Sequence, residues 1–306
     1  MKKIFFSVIA LAALFCGCGK TDQVRVKADF NDGWRFHLGE AAGAAFNDYD
    51  DSSWRELELP HDWAIEGDFS KDNPSGTGGG ALPGGIGWYR KTFVPSSAEA
   101  GKLWRLEFDG VYMNAEVFVN GESLGVRPYG YISFGYDISH LLKWDEENVV
   151  AVRVDNAEQP NSRWYSGAGI YRDVTLHVLD KVHIALDGTY VTTRRNGTDW
   201  TLTVETELTG EGAEYPVIHR LLATHDVVCE AMAQVTGCKA VAVMTVHDPD
   251  LWEVGEGGCY TLETCLGDQV IRENVDFREI ELTTDRGLFV TGKHVKLHGV
   301  CQHHDL

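Results

Sequence analysis

Asp109-Gly110-Val111-Tyr112-Met113-Asn114-Ala115-Glu116-Val117-Phe118-Val119-Asn120-Gly121 decides the fold class of this chain. A period of two puts Ala115, Val117 and Val119 on one face, as a half-buried strand requires. Asn120-Gly121 follows directly, and both residues tolerate the positive φ of a tight hairpin turn. A strand, a turn and a returning strand are therefore expected. The same texture runs outward through Leu103-Trp104-Arg105-Leu106-Glu107-Phe108 and Val149-Val150-Ala151-Val152-Arg153-Val154. From Val24 to about Asp180, short alternating stretches are separated by Gly, Asn, Asp and Pro, with no long run of helical period. The class is all-β.

A second β-rich region covers residues 181–281, with alternation in Thr201–Glu205 and Ala240–Val246. Its length suits one immunoglobulin-like sandwich of roughly 100 residues. Gly287 to Val300 reads as a hairpin or short strand pair turned at Thr291-Gly292. Asn73 to Gly87, crowded with glycine and proline, reads as a long surface loop, either functional or a mere excursion.

The N-terminus has a different character. Lys2 and Lys3 precede an apolar run from Ile4 to Phe15, broken by Ser7, and then Cys16-Gly17-Cys18-Gly19. That order is a secretory signal, and the run is shorter than the ~20 residues a bilayer span needs. A small residue followed by cysteine resembles a bacterial lipoprotein signal, so residues 1–18 are expected to be a signal with lipidation at Cys18, ordinary cleavage without lipid being the alternative. Cys16, behind the bulky Phe15, fits less well. The expected location is exported, in the periplasm or on the outer membrane, with membrane contact only through the lipid.

The formal charge of −19 repels phosphate backbones and anionic lipid, which removes nucleic acid as a partner. Beyond the signal, Cys229, Cys238, Cys259, Cys265 and Cys301 form no C-x-x-C pair, so zinc is a weak reading. A disulfide among the first four and buried free thiols both stay open.

Four segments together resemble glycoside hydrolase family 2, which contains the bacterial β-galactosidases, β-glucuronidases and β-mannosidases. They are Leu59-Pro60-His61-Asp62-Trp63, then Gly87-Trp88-Tyr89-Arg90-Lys91-Thr92-Phe93, then Asp109 to Gly121 with Gly125, Gly130-Tyr131 and Phe134 to Ile138, and finally Gly167-Ala168-Gly169-Ile170-Tyr171-Arg172-Asp173-Val174. Asp248-Pro249-Asp250-Leu251-Trp252 resembles the end of the family's immunoglobulin-like domain. Leu297 to Asp305 resembles the first strand of its (β/α)8 barrel, most like the β-galactosidase branch.

The resemblance implies a jelly-roll sugar-binding domain over 25–180, an immunoglobulin-like domain over 181–281, and the start of a catalytic barrel over 282–306. It also implies a retaining exo-β-glycosidase acting on a glycan or oligosaccharide with a terminal β-linked sugar. Retention needs two carboxyl groups about 5–5.5 Å apart. In the family both are glutamates late in a barrel of about 250 residues, so neither is carried over, and the chain alone is expected to be inactive. The rival reading is a non-catalytic surface carbohydrate-binding lipoprotein.

Substrate contact is carried over to His303, with His304 adjoining it, since barrel active sites gather at the C-terminal ends of strands. Arg163 stands where several relatives place an aspartate reaching the active site, and it offers donors in place of acceptors. Trp164 and Tyr165 could present flat faces to a pyranose or simply pack, whereas Trp88 and Tyr89 read as packing. At Gly84, where some β-galactosidases have an asparagine, no side chain exists. No cofactor is expected within this chain. The magnesium or sodium often used in the β-galactosidase branch would be held by residues outside it, and homo-oligomerisation stays open.

Overall fold

The computed structural model describes residues 26–210 and 215–300. The expected signal, Cys18, Cys301, His303 and His304 lie outside the described residues. Ten strands come first: β1 (Val26–Asp29), β2 (Trp34–Leu38), β3 (Arg55–Leu57), β4 (Gly85–Phe93), β5 (Leu103–Phe108), β6 (Ala115–Val119), β7 (Glu122–Arg127), β8 (Phe134–Asp137), β9 (Asn148–Asn156) and β10 (Val174–Leu179). Next are β11 (His183–Asn196), β12 (Asp199–Thr209), β13 (Val217–Ala223), β14 (Asp226–Ala233) and β15 (Lys239–Val246). The two-residue strands β16 (Trp252–Glu253) and β17 (Glu256–Gly257) precede β18 (Tyr260–Leu266), β19 (Gln269–Val275), β20 (Ile280–Thr283), β21 (Gly287–Val290) and β22 (Lys293–Val295). Among the described residues the helical elements are all single 3-10 turns, so the class is all-β.

The first sandwich packs a four-stranded sheet, β1-β10-β5-β8, against a six-stranded one, β3-β2-β4-β9-β6-β7. Leu106, Phe108, Val174, Leu176 and Val178 enter its core from the first sheet, and Trp34, Phe36, Tyr89, Val117 and Val152 from the second. The hairpin expected at Asn120-Gly121 is present, with φ of 52° and 87° and Val119 opposite Glu122. Trp88 and Tyr89 are both buried.

β9 is buried on nearly every residue because the six-stranded sheet is covered on both faces. The second cover is the excursion between β2 and β3, where Ala41, Ala44, Ala45 and Trp54 pack on Trp88 and Ala151. Arg90 fastens it. This guanidinium donates from Nε to Asp51 Oδ2 at 2.8 Å and from Nη1 to the carbonyls of Ala44 and Phe46, and Arg35 also pairs with Asp51.

The second sandwich sets β11-β12-β15 against β14-β13-β18-β19. In β15, Ala240, Ala242, Met244 and Val246 point inward while Val241 and Val243 face solvent, the alternation of an antiparallel sheet with one wet face. Between two apolar clusters lies a buried polar line, Thr206, His219 and Thr264.

The expected turn at Thr291-Gly292 joins β21 to β22. A third strand, β20, pairs with β21 and so joins this small sheet, spanning the expected division at 281/282. Cys229 is half-buried with Sγ 3.7 Å from Met244 Sδ, and burial raises its thiol pKa. Cys229, Cys238 and Cys259 are free thiols.

The segment Gly167 to Val174 closes the first sandwich by backbone hydrogen bonds to Tyr112, His61 and Trp63. Gly169 sits at φ 125°, where a Cβ would lie 2.3 Å from Tyr89 Oη and 2.7 Å from the His61 carbonyl. Both strain and overlap oppose any side chain there. Gly169→Ala is expected to cost about 3 kcal/mol, measured as a shift in urea midpoint at unchanged slope, and a loss below about 0.5 kcal/mol would contradict this packing account.

Candidate functional site

The site region is assembled from three segments: residues 59–66, the glycine-rich 73–85, and 156–172. In the first, Asp62 Oδ1 accepts from the backbone amides of Ala64 and Ala168, each at 2.9 Å, while Oδ2 accepts from the Tyr165 hydroxyl. His61 and Trp63 donate their backbone N–H groups to the carbonyls of Ile170 and Ala168. An early motif and a late signature thus form one clamp.

His61 is held at both ring nitrogens: Arg55 Nη2 lies 2.8 Å and Glu66 Oε1 3.3 Å from its Nε2, and its Nδ1 faces Tyr89 Oη at 2.8 Å. Burial lowers its pKa, and the nearby Glu66 carboxylate only partly opposes this. Burial and then the Asp62 contact raise the pKa of Tyr165 far above the phenol range. Asp62, His61 and Tyr165 each already have a partner, so these three side chains position backbone and are not arranged for proton transfer.

The glycine-rich segment, expected as a surface loop, is folded tightly on itself. Ser75 donates to the Leu82 carbonyl at 2.6 Å, Asn73 Nδ2 donates to the Ala81 carbonyl at 2.7 Å, and Leu82 is buried. Gly78 and Gly80 lie against Arg163 and Tyr165. A Cβ on Gly84 would meet the Asn156 carbonyl at 2.5 Å, so an asparagine cannot replace it without moving the 156–167 loop.

That loop is built around Asn156, which is buried. Asn156 Nδ2 donates to the Gly167 carbonyl at 3.0 Å, and its Oδ1 accepts from Gln159 and Asn161, each at 2.7 Å. Ser162 donates to the Trp164 carbonyl, closing the turn. Arg163 and Trp164 are both exposed at its tip, next to a shallow hollow lined by Ser75, Pro83, Gln159 and Asn161. Arg163 makes no ion pair among the described residues. Tyr165, one residue on, turns inward to Asp62, so the neighbouring rings have opposite fates.

Sequence reading missed Asn156, Asn161 and Tyr131. The amides flanking Gln159-Pro160 were a readable sign of a hydrogen-bonded loop. Tyr131 carried none, because its partner is 33 positions away: Trp164 Nε1 donates to Tyr131 Oη at 3.0 Å. Among the described residues no group of three or more His, Cys, Asp or Glu could hold a metal ion.

Residues 81–180 match the sequence model of the glycosyl hydrolases family 2 sugar binding domain. The whole fold agrees with solved structures. It superposes on a β-glycosidase from Bacteroides vulgatus with a TM-score of 0.83 at 34% identity, over 90% of this chain and 37% of that one. A glycosyl hydrolase family 2 member from Bacteroides cellulosilyticus gives 0.83 at 30% identity, over 89% of this chain and 38% of that one.

The chain belongs to glycoside hydrolase family 2.

Among curated family 2 relatives, beta-galactosidase BoGH2A of Bacteroides ovatus is 48% identical over 310 aligned residues, covering 95% of this chain and 36% of the relative. A beta-glucuronidase of Bacteroides fragilis is 28% identical, over 90% of this chain and 41% of its own length. This family 2 chain therefore spans well under half of the relatives it matches. The motif His61-Asp62-Trp63 and the segment Gly167 to Val174 are the clamp of its first sandwich.

Proposed function

We propose that this chain is the non-catalytic front of a retaining exo-β-glycosidase of the β-galactosidase type, with a sugar-binding domain over 25–180, an immunoglobulin-like domain over 181–281, and a barrel entered from 282 onward. The observation that carries this reading is the loop tip at Arg163 and Trp164. Its backbone is fixed through Asn156 and Asp62, and it presents donors and a flat ring to solvent. A preorganised rim of that kind serves a glycosidase by orienting the terminal sugar, while the two carboxyl groups of the retaining reaction come from the barrel. His303 and His304 would approach the same sugar from the barrel side. Magnesium or sodium, if used by the complete enzyme, would be held there too.

Arg163 can only donate hydrogen bonds, so it selects acceptors on the sugar. In a complete enzyme that carries this chain as its front, Arg163→Ala is expected to raise KM for a chromogenic β-galactoside about tenfold with kcat changed less than twofold, the effect of losing a charged hydrogen bond made equally in ground and transition states. The 306-residue chain by itself is expected to show no turnover. An unchanged KM removes Arg163 from the sugar site, and turnover by the chain alone sinks the assignment of catalysis to the barrel.

Export with a lipid on Cys18 belongs to the same proposal and rests on residues 1–18. Incorporation of labelled palmitate that disappears in Cys18→Ser is the corresponding check.

A further inference from the structure

We infer that Trp164, Tyr131 and Tyr129 form a glycan-binding ledge that holds a second sugar of an oligosaccharide, beside the terminal sugar reached by Arg163. The three rings are 52%, 40% and 57% exposed, far more than aromatic side chains in a sandwich usually are. They are also held in place. Trp164 Nε1 donates to Tyr131 Oη, and Tyr131 packs edge-on to both Tyr112 and Tyr129, with ring centroids 5.3 Å and 5.6 Å apart. Tyr112 is buried and donates to Asn161 Oδ1 at 3.2 Å, which ties the ledge to the 156–167 loop. An indole whose N–H is already satisfied by a neighbouring ring keeps its faces, and only its faces, for a ligand.

The chemistry of the surroundings selects the ligand. Flat π-faces attract the C–H face of a pyranose, and since Ser162, Ser166 and Asn161 beside the rings are engaged in the loop's own hydrogen bonds, recognition falls to the ring faces. Single-stranded nucleic acid also stacks on aromatic ledges, but a chain of formal charge −19 repels its backbone. A partner protein would want a continuous apolar core, and this ledge is interrupted by hydroxyls and by Arg163. All three rings fall within the residues that match the sugar binding domain.

The ledge deepens the function proposed above and rests on its glycan-directed part, not on turnover. Calorimetric titration of the full chain with methyl β-galactoside and with a β-linked galactotriose is the test. The triose is expected to bind about tenfold more tightly than the monosaccharide, and Trp164→Ala and Tyr131→Ala to remove that advantage, as truncating an aromatic anchor does. Tyr131→Phe, which keeps the ring and drops the hydroxyl, should lose only about threefold. Tyr215→Ala, at an exposed aromatic residue of the second sandwich, should change nothing. Equal affinity for mono- and trisaccharide, or an undiminished preference in Trp164→Ala with its circular dichroism intact, overturns the ledge, as does a chain dimer abolished by Trp164→Ala without glycan binding. If the complete enzyme cleaves β-galactosides while the chain ignores the triose, the ledge alone fails. If the chain binds the triose but the complete enzyme cleaves no β-glycoside, the enzymatic reading fails and the ledge stands.

Discussion

Replacing Arg90 with methionine is expected to destabilise the protein by about 3–5 kcal/mol, the loss typical when one partner is removed from a buried ion pair. Arg90 is 2% exposed and lies in the middle of β4, so its charge is held by the groups around it and not by water. Four of those groups sit on the excursion between β2 and β3: the Asp51 carboxylate, the Ala44 and Phe46 carbonyls, and the Tyr49 ring, whose centroid is 5.4 Å from the guanidinium carbon. Methionine fills part of the volume but returns none of the hydrogen bonds. It leaves Asp51 with Arg35 alone and takes the donor from the buried Ala44 carbonyl. Arg90→Met combined with Asp51→Leu should cost less than the two single changes added together, because the second removes the stranded charge. Urea unfolding of the four proteins gives the comparison. A single-variant loss under about 1 kcal/mol would show that the excursion is held by its alanines and Trp54 instead.

Acid is expected to weaken the second sandwich through His219. The imidazole is fully buried between Thr206 Oγ1 at 3.5 Å and Thr264 Oγ1 at 3.2 Å, and desolvation lowers its pKa from 6.5 to about 4. The folded state therefore holds it neutral where the unfolded chain would already take up a proton. Its contribution is whole above pH 6.5 and drains away as the pH falls toward 4, by about 3 kcal/mol at the lower end. Carboxylates titrate in part of the same window, so the measurement is a difference. Stability from pH 7.5 to 4 is compared between the native chain and His219→Asn, which keeps polar atoms but does not titrate. The native curve should fall more steeply below pH 6.5. Parallel curves would mean that His219 opens to water or keeps its proton balance on unfolding.

Much of this architecture was legible because strands with one wet face write their burial into the sequence. Thr201 to Glu205 alternates in the text and in the fold alike, with Leu202 and Val204 inside. Asn120-Gly121 announced its turn because few residue pairs tolerate two successive positive φ values, whereas at Thr291-Gly292 the glycine alone was the sign, β-branched Thr291 being an unusual residue at its φ of 48°. What stayed illegible depends on distant partners. Residues 39–54 have no period, and their place on the outer face is set by Arg90, far along the chain. β20 reads as the tail of the preceding region, yet it pairs with β21, and its Ile280 and Leu282 stay exposed. At the candidate site, Trp164 and Tyr165 are adjacent aromatic residues in an irregular loop, and no local rule tells which one turns to Asp62 and which to Tyr131.

The four-stranded sheet has one more consequence. In the order β1-β10-β5-β8, the final strand of the first sandwich lies between the earliest one and β5, with Val26 opposite Val178 and Leu106 opposite Leu176. A polypeptide that emerges N-terminus first exposes β1 long before its neighbour exists, an interval of about ten seconds or more at ribosomal speeds. Until Leu179 appears, β1 and β5 both keep an open edge toward the gap, and such edges are the sites at which growing chains join one another. The four-stranded sheet therefore cannot close until residues 174–179 are there to pair with β1 and β5 at once.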